Sequence, residues 1–503
     1  MTYHREFYTI FVVDKRTIRY FCGRKSNDME LMKRRKLILF PLLGLLALTS
    51  LFSCGEDRWT EYYPLTGRDL WMDSVMRAVY LWYEDIPSSK KLNYFQNPET
   101  FLKNILSKKD KGFSTVDTIM DTPMPSYGFD YTLYKVATSD TTYNALVSYV
   151  ASDSPAADAG LERGDWIMLI DGDSITKKTE TWLADGGARE LRIGKYVVVK
   201  DENSNGTEED TETGEEKETE KNEGKGVGVI QEIGNITLPA ARAVTDMPFH
   251  AYCFVKLEGG YNVAYLAYNS FTSGTKDNNQ EYNNRLRAFS QQCKQLDINN
   301  FVLDLRYNPG GEMECVQLLA DILVPADKLD SPLAFLQYNN KQSDKNRDLI
   351  LDSQLLQGGA NLNLPTVYII TSTTTAGAAE MLINCLKPYM TVVLIGQTTK
   401  GENVATETFL NPKYPWALRP VVCEVFNSNG EADYSTGFRP NYSINETSYL
   451  ENFLPLGNPD EILFNTALGI IAGVIEPPKT RTSETVVKSF TTRKDVHKGL
   501  IVK

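Results

Sequence analysis

Between residues 261 and 396 apolar strands alternate with amphipathic helices, and the later strands run straight into glycine-bearing turns. Residues 263–268 read as a strand, and 279–296 as a helix with Leu286, Phe289 and Cys293 on one face. Residues 301–305 form a second apolar run, which enters Arg306-Tyr307-Asn308-Pro309-Gly310-Gly311 and then a helix over 316–323. A third strand, 364–371, enters Thr375-Ala376-Gly377, with a helix over 378–386 and a strand at 392–395 behind it. Strand–turn–helix units in series imply an α/β layer of mostly parallel strands. Functional groups in such sheets gather at the carboxyl ends of the strands. Both glycine turns fall there.

With 503 residues the chain exceeds one ordinary domain. Its net charge of −12 argues against a nucleic-acid partner, which requires clustered Lys and Arg. Much of the acidity lies in 208–223, EEDTETGEEKETEKNE, which reads as part of a disordered insert over 201–226. Cys22, Cys54, Cys253, Cys293, Cys315, Cys385 and Cys423 form no Cys-x-x-Cys or Cys/His cluster. Neither a metal site nor a disulfide framework is expected, and the later cysteines read as small buried hydrophobes. No phosphate-binding loop occurs, and no cofactor is expected.

At the N-terminus, Lys33-Arg34-Arg35-Lys36 precedes an apolar stretch over 37–52 that ends in Ser53-Cys54. A basic head, a short apolar core and a small residue before cysteine make a secretory signal with a lipidation site. About 16 apolar residues fall short of the roughly 20 that span a bilayer, which disfavours a transmembrane anchor. The expectation is an extension over 1–31 ahead of a start at Met32 or Met29, a signal peptide over 32–53, and lipidation at Cys54. The mature chain would then be anchored in the cell envelope, at the outer membrane. Glu56-Asp57 resembles the acidic export tag of surface lipoproteins.

Residues 54–115 read as a helical N-terminal domain, with Leu70, Val75, Ala78, Val79, Leu81 and Trp82 at helical spacing. Strand-like alternation follows over 127–136 and 145–150. Then comes Ser154-Pro155-Ala156-Ala157-Asp158-Ala159-Gly160-Leu161-Glu162-Arg163-Gly164-Asp165, with an apolar strand ending at Asp171-Gly172. This resembles the core of a PDZ module, here placed at 123–235. Such modules bind peptide ends by adding a strand to a sheet edge. The resemblance puts peptide binding at Tyr127, Gly128 and Phe129.

Three stretches define the candidate site: 303–311 (LDLRYNPGG), 375–380 (TAGAAE) and 396–402 (GQTTKGE). With Tyr434-Ser435-Thr436-Gly437-Phe438-Arg439-Pro440 and Leu456-Gly457-Asn458-Pro459-Asp460 they resemble the C-terminal processing peptidases, or tail-specific proteases. These are serine peptidases with a Ser-Lys dyad. The resemblance covers 127–473 and implies a peptidase-like domain over 245–473, with 474–503 a flexible tail. It also implies oxyanion-type backbone groups at Gly310 and Gly311. In the family a serine stands in the second turn, and a lysine base follows 25 residues later. Gly377 and Glu402 keep that spacing and carry neither group.

Thr375 and Lys400 are the candidates for a rearranged dyad. Thr375 is instead expected to cap the helix. Lys400, on a strand, would share a face with Glu402 about 6–7 Å away. A mature chain from Cys54 has only His250 and His497, neither in a nucleophile-like setting. The expected function is therefore non-catalytic binding of polypeptide segments or protein C-termini. The alternatives are a serine peptidase with a rearranged dyad, and a structural or regulatory partner in a surface complex.

Overall fold

The computed structural model describes residues 59–119, 124–139, 141–199, 227–245, 247–475, 489–493 and 499–502. The upstream extension 1–31, the signal segment 32–53, Cys54 and the acidic insert 201–226 lie outside the described residues. Leu65–Lys503 forms one compact unit.

The chain opens with helices α1 (Trp59–Val79) and α2 (Pro98–Ile105), then strand β1 (Thr115–Thr118). Helix α2 begins where the Asn97 side chain accepts the Thr100 amide at 2.8 Å and Pro98 fills the first turn. Met72, Met76, Phe101 and Ile105 form the buried face of this part and pack with Val404, Leu418 and Val421 from far along the chain.

Next come β2 (Phe129–Lys135), β3 (Tyr143–Val150), the one-turn helix α3 (Pro155–Asp158), β4 (Asp165–Ile170), β5 (Asp173–Ser174), β6 (Arg189–Val199) and β7 (Val227–Leu238). They pair antiparallel in the order β2-β3-β4-β6-β7, with β5 on β4. Ser154 caps α3 by accepting the Ala157 amide at 3.1 Å. Leu161 then enters a core with Phe129, Val147, Ile167 and Leu191.

The largest part begins with β8 (Phe249–Leu257), β9 (Tyr261–Tyr268), α4 (Glu281–Gln295), β10 (Asn300–Asp304), β11 (Gly310–Glu312) and α5 (Met313–Leu323). It continues through β12 (Pro332–Tyr338), β13 (Arg347–Ile350), β14 (Thr366–Thr371), α6 (Ala378–Leu386) and β15 (Thr391–Gly396). After these come β16 (Val404–Glu407), β17 (Phe409–Asn411), β18 (Tyr414–Arg419), β19 (Val421–Asn427), β20 (Tyr442–Ser443) and α7 (Ile462–Ile471). One sheet, ordered β20-β15-β14-β10-β9-β8, is parallel except for β8. Leu303, Val367 and Ile369 share a core with α4, α5 and α6, while Val302, Ile370 and Ile395 pack against α7. Burial on both faces is why these strands read as unbroken apolar runs.

A second sheet has the order β11-β22-β16-β19-β12-β13, where β22 is Gly499–Val502. For residues 489–493 and 499–502 this corrects the expectation of a flexible tail over 474–503. Ser489–Thr491 is also a strand, β21, paired antiparallel with β2. Strand β22 lies between β11 and β16 and is parallel to both. Apolar Leu500 and Val502 are buried in the main core, so the C-terminal segment finishes the sheet from within.

Candidate functional site

The site forms where the β10 and β14 turns meet the loop after β15. In the first turn Asn308 is fully buried and braces the backbone. Its side-chain amide donates to Tyr268 O at 2.8 Å, and its Oδ1 accepts the Gly310 amide at 2.9 Å. Gly310 and Gly311 have φ of 118° and 137°. A Cβ on Gly311 would come closer than 3.0 Å to the Phe271 backbone, and one on Gly310 would strike the Gly499 backbone. Only glycine lets main chains approach this closely.

The second turn is stitched to the first. Ser372 Oγ donates to Arg306 O, Thr375 Oγ1 donates to Leu305 O at 2.8 Å, and the Ala376 amide donates to Asn308 O at 3.2 Å. Gly377 then starts α6 with φ 51° and ψ −108°. This is the sharp strand-to-helix geometry that thrusts a side chain out over a sheet. No side chain is there. A Cβ on Gly377 would lie closer than 3.0 Å to the carbonyl carbon and oxygen of Gly499.

Glu380, one turn into α6 and fully buried, organises the third segment. Its carboxyl accepts the Gly377 amide at 3.2 Å, Thr399 Oγ1 at 2.5 Å, the Gly401 amide at 2.7 Å and the Glu402 amide at 2.8 Å. Burial raises its pKa, although these four donors hold it down. Glu402 is 3% exposed. Burial pushes its carboxyl up to about 7; Lys400 opposes the rise, and Glu380 and Asp110 add to it. Near neutral pH Glu402 is thus divided between acid and carboxylate. A Cβ on Gly499 would come closer than 3.0 Å to Glu402 Oε1. Gly377, Glu402 and Gly499 therefore converge on one point.

The profile of peptidase family S41 matches residues 262–444, and that of the peptidase S41 N-terminal domain matches 69–115. A crystal structure at 2.00 Å of a Bacteroides fragilis NCTC 9343 protein assigned to the S41 proteases is 48% identical. It superposes with a TM-score of 0.73 over 81% of this chain and 98% of that one. The chain belongs to peptidase family S41. A carboxyl-terminal-processing protease of Synechocystis sp. is 22% identical over 321 residues. That match spans 64% of this chain and 63% of the relative's length.

In this S41 chain the structure brings Gly310, Gly311, Gly377 and Glu402 together. Thr375 is different. It does not cap α6, whose first flanking residue is Gly377. Its hydroxyl lies between Leu305 O and the Ser372 amide, which it accepts at 2.9 Å, and the residue is fully buried. Lys400 lies in a loop ahead of β16, not on a strand. Its Nζ is 3.8 Å from Glu402 Oε2 and 5.5 Å from the centre of the Phe113 ring, and its side chain is 48% exposed.

Tyr127, Gly128 and Phe129 border a different contact from the open edge expected of them. The Tyr127 ring is buried, and its hydroxyl donates to Asp185 at 3.2 Å. The Phe129 amide and carbonyl are both bonded to Thr492 of the protein's own tail. Between this edge and the carboxyl ends of the parallel strands lies a cavity of about 370 Å³, bordered by Asp130, Ser148, Tyr307, Ser372, Lys400 and Phe490.

A buried ionic cluster locks the β2–β7 sheet to this region. Arg163 donates to Glu446 at 2.8 Å, to the Tyr307 hydroxyl at 2.5 Å and to Ser148 O at 2.8 Å, with Phe453 3.7 Å beneath it. Arg306 binds Asp304, Glu446 and Glu461. Although burial works the other way, Arg163 and Arg306 hold the Glu446 carboxyl down to about 2. Glu380 was not assigned a role from the sequence, although a carboxylate three residues into a helix is a signal that could have marked it. Gly499 and the Arg163–Glu446 pairing left no local signal. Among the described residues no His, Cys, Asp or Glu group could hold a metal ion.

Proposed function

We propose that this S41 chain binds polypeptide segments without hydrolysing them, and that it does so anchored to the cell envelope through a lipid on Cys54. One observation carries the loss of hydrolysis. The space in front of residue 377, where the family resemblance places the nucleophile, is taken by the Gly499 main chain. Acyl transfer through a serine-type site requires an attacking oxygen, and Gly377 has none. Glu402 in the base position supplies no amine, and its ionised form would oppose charge developing against the Gly310–Gly311 backbone. A rearranged dyad finds no support, because the Thr375 hydroxyl is enclosed by its two bonds.

Polypeptide binding needs none of the lost groups. Strand addition relies on backbone hydrogen bonds, and both β2 and the β11–β16 slot engage an extended segment in this way. The glycine turns and the cavity supply the remaining surface. The PDZ-like reading of 123–235 fits the same role. The decisive test is labelling with a fluorophosphonate. The expected result is no covalent adduct on the wild type. Labelling of the wild type that disappears in Thr375→Val would establish the rearranged dyad instead.

A further inference from the structure

The tail touches both parts of this site in the manner of an extended peptide. Strand β21 pairs with β2 in the register Asp130 to Thr491, Tyr131 to Phe490 and Thr132 to Ser489. Phe490 stacks on Tyr131 with ring centres 5.2 Å apart and 11° between planes. The Thr492 amide donates to Phe129 O at 2.9 Å, and Ser126 Oγ donates to Thr492 O at 2.7 Å. Arg493 forms an ion pair with Asp130 at 2.6 Å, its guanidinium 4.4 Å from the centre of the Tyr149 ring. This is backbone addition on an edge plus side-chain recognition of Phe490 and Arg493, a form of peptide capture.

Residues 494–498 then connect to β22, where the Gly499 amide donates to Pro309 O at 2.7 Å and Gly310 stands opposite Gly499. At this point four glycines meet. A Cβ on Gly310 or on Gly377 would strike the Gly499 main chain, a Cβ on Gly311 would strike Phe271, and a Cβ on Gly499 would strike Glu402. Gly499 also has φ 78°, which side chains rarely adopt. The slot therefore admits a strand only where that strand carries glycine. The next residue, Leu500, is fully buried, and Val502 is nearly so.

We propose that residues 489–493 and 499–502 are the resident ligand of this site, a tethered pseudo-substrate, and that they define the peptide class it accepts. That class has an aromatic-Thr-Thr-Arg segment for β2, a five-residue spacer, and glycine followed by aliphatic residues for the slot beside Gly377. The proposal rests on the polypeptide-binding reading above and adds its occupant and its sequence. A foreign segment enters by displacing the tail. A tethered ligand competes at an effective concentration on the order of millimolar, so the tail lowers the apparent affinity for any free peptide.

The test uses the full chain and a fluorescent peptide of residues 486–503, followed by anisotropy. The wild type binds it weakly. Gly499→Val weakens the tethered copy, and Phe490→Ala with Arg493→Ala does the same on the exposed edge. Each variant should bind the free peptide roughly tenfold or more tightly than the wild type. A peptide carrying valine in place of Gly499 should bind more weakly than the unaltered one, because it keeps only the β2 segment. No gain in either variant, with both folded by circular dichroism, would make the tail a permanent strand and overturn the proposal. If Gly499→Val does not fold, the edge variant decides. If apolar library peptides bind the wild type and the tail peptide does not compete, the tail assignment falls while polypeptide binding stands. If the tail peptide is captured and cut, the tail assignment stands and the non-catalytic reading falls.

Discussion

Replacing Glu402 with glutamine should change how stability depends on pH, by an amount the site itself sets. Burial carries the Glu402 carboxyl from an ordinary 4.5 to about 7. Between those values an unfolded chain has released the proton while the native chain keeps it. The native state then binds more protons, so its stability falls as pH rises through that window. At about 1.4 kcal/mol per unit, the loss attributable to Glu402 approaches ~3 kcal/mol and is complete above neutrality. A glutamine amide in its place would have no proton to lose. Urea unfolding followed by tryptophan fluorescence at fixed pH values from 4 to 8.5 gives the free energies directly. The Glu402→Gln protein should gain on the wild type by about 3 kcal/mol between the two ends of the series. A difference that is the same at every pH would refute the reasoning, because it would mean Glu402 ionises as freely in the fold as out of it.

Arg163→Met should destabilise the protein by about 3–5 kcal/mol in the same assay, because it leaves Glu446 and Glu461 buried with a single guanidinium. A loss under about 1 kcal/mol would show that the cluster does not lock the sheets together. Thr375→Val should cost about 1–3 kcal/mol by leaving the Ser372 amide without its acceptor, whereas Leu305 O keeps the Asn308 amide. Because the hydroxyl is structural, the variant should bind peptides as the wild type does, and lost binding at unchanged stability would contradict that. Cys54→Ala should move the protein from the membrane fraction to the soluble one, and unchanged fractionation would remove the lipid anchor from the account.

The parts legible in sequence are those whose signal is local. The helix over 378–386 and the strand over 301–305 (observed as Asn300–Asp304) were readable because burial on both faces and glycine turns mark them residue by residue. The second sheet was not. Strands β13 and β16 are short, β12 and β19 mix apolar and polar residues, and the partners of all four are set by tertiary pairing. Gly-Leu-Ile-Val at 499–502 looks like the end of a polar segment. Its burial depends on Gly310, Gly377 and Glu402, each roughly a hundred residues or more upstream, and no periodicity records such a contact. Thr375 was misread for a similar reason. A hydroxyl ahead of a helix suggests a cap, but this one donates to Leu305 O in a neighbouring turn and accepts the Ser372 amide.

The central claim, that an S41 scaffold has been kept without its chemistry, is tested most directly by incubating the wild-type mature protein with unfolded casein and following new termini by mass spectrometry. The account predicts no cleavage above buffer, since Gly377 offers no attacking oxygen and Gly499 fills the space before it. Sustained cleavage by the wild type, abolished by Lys400→Ala, would contradict it.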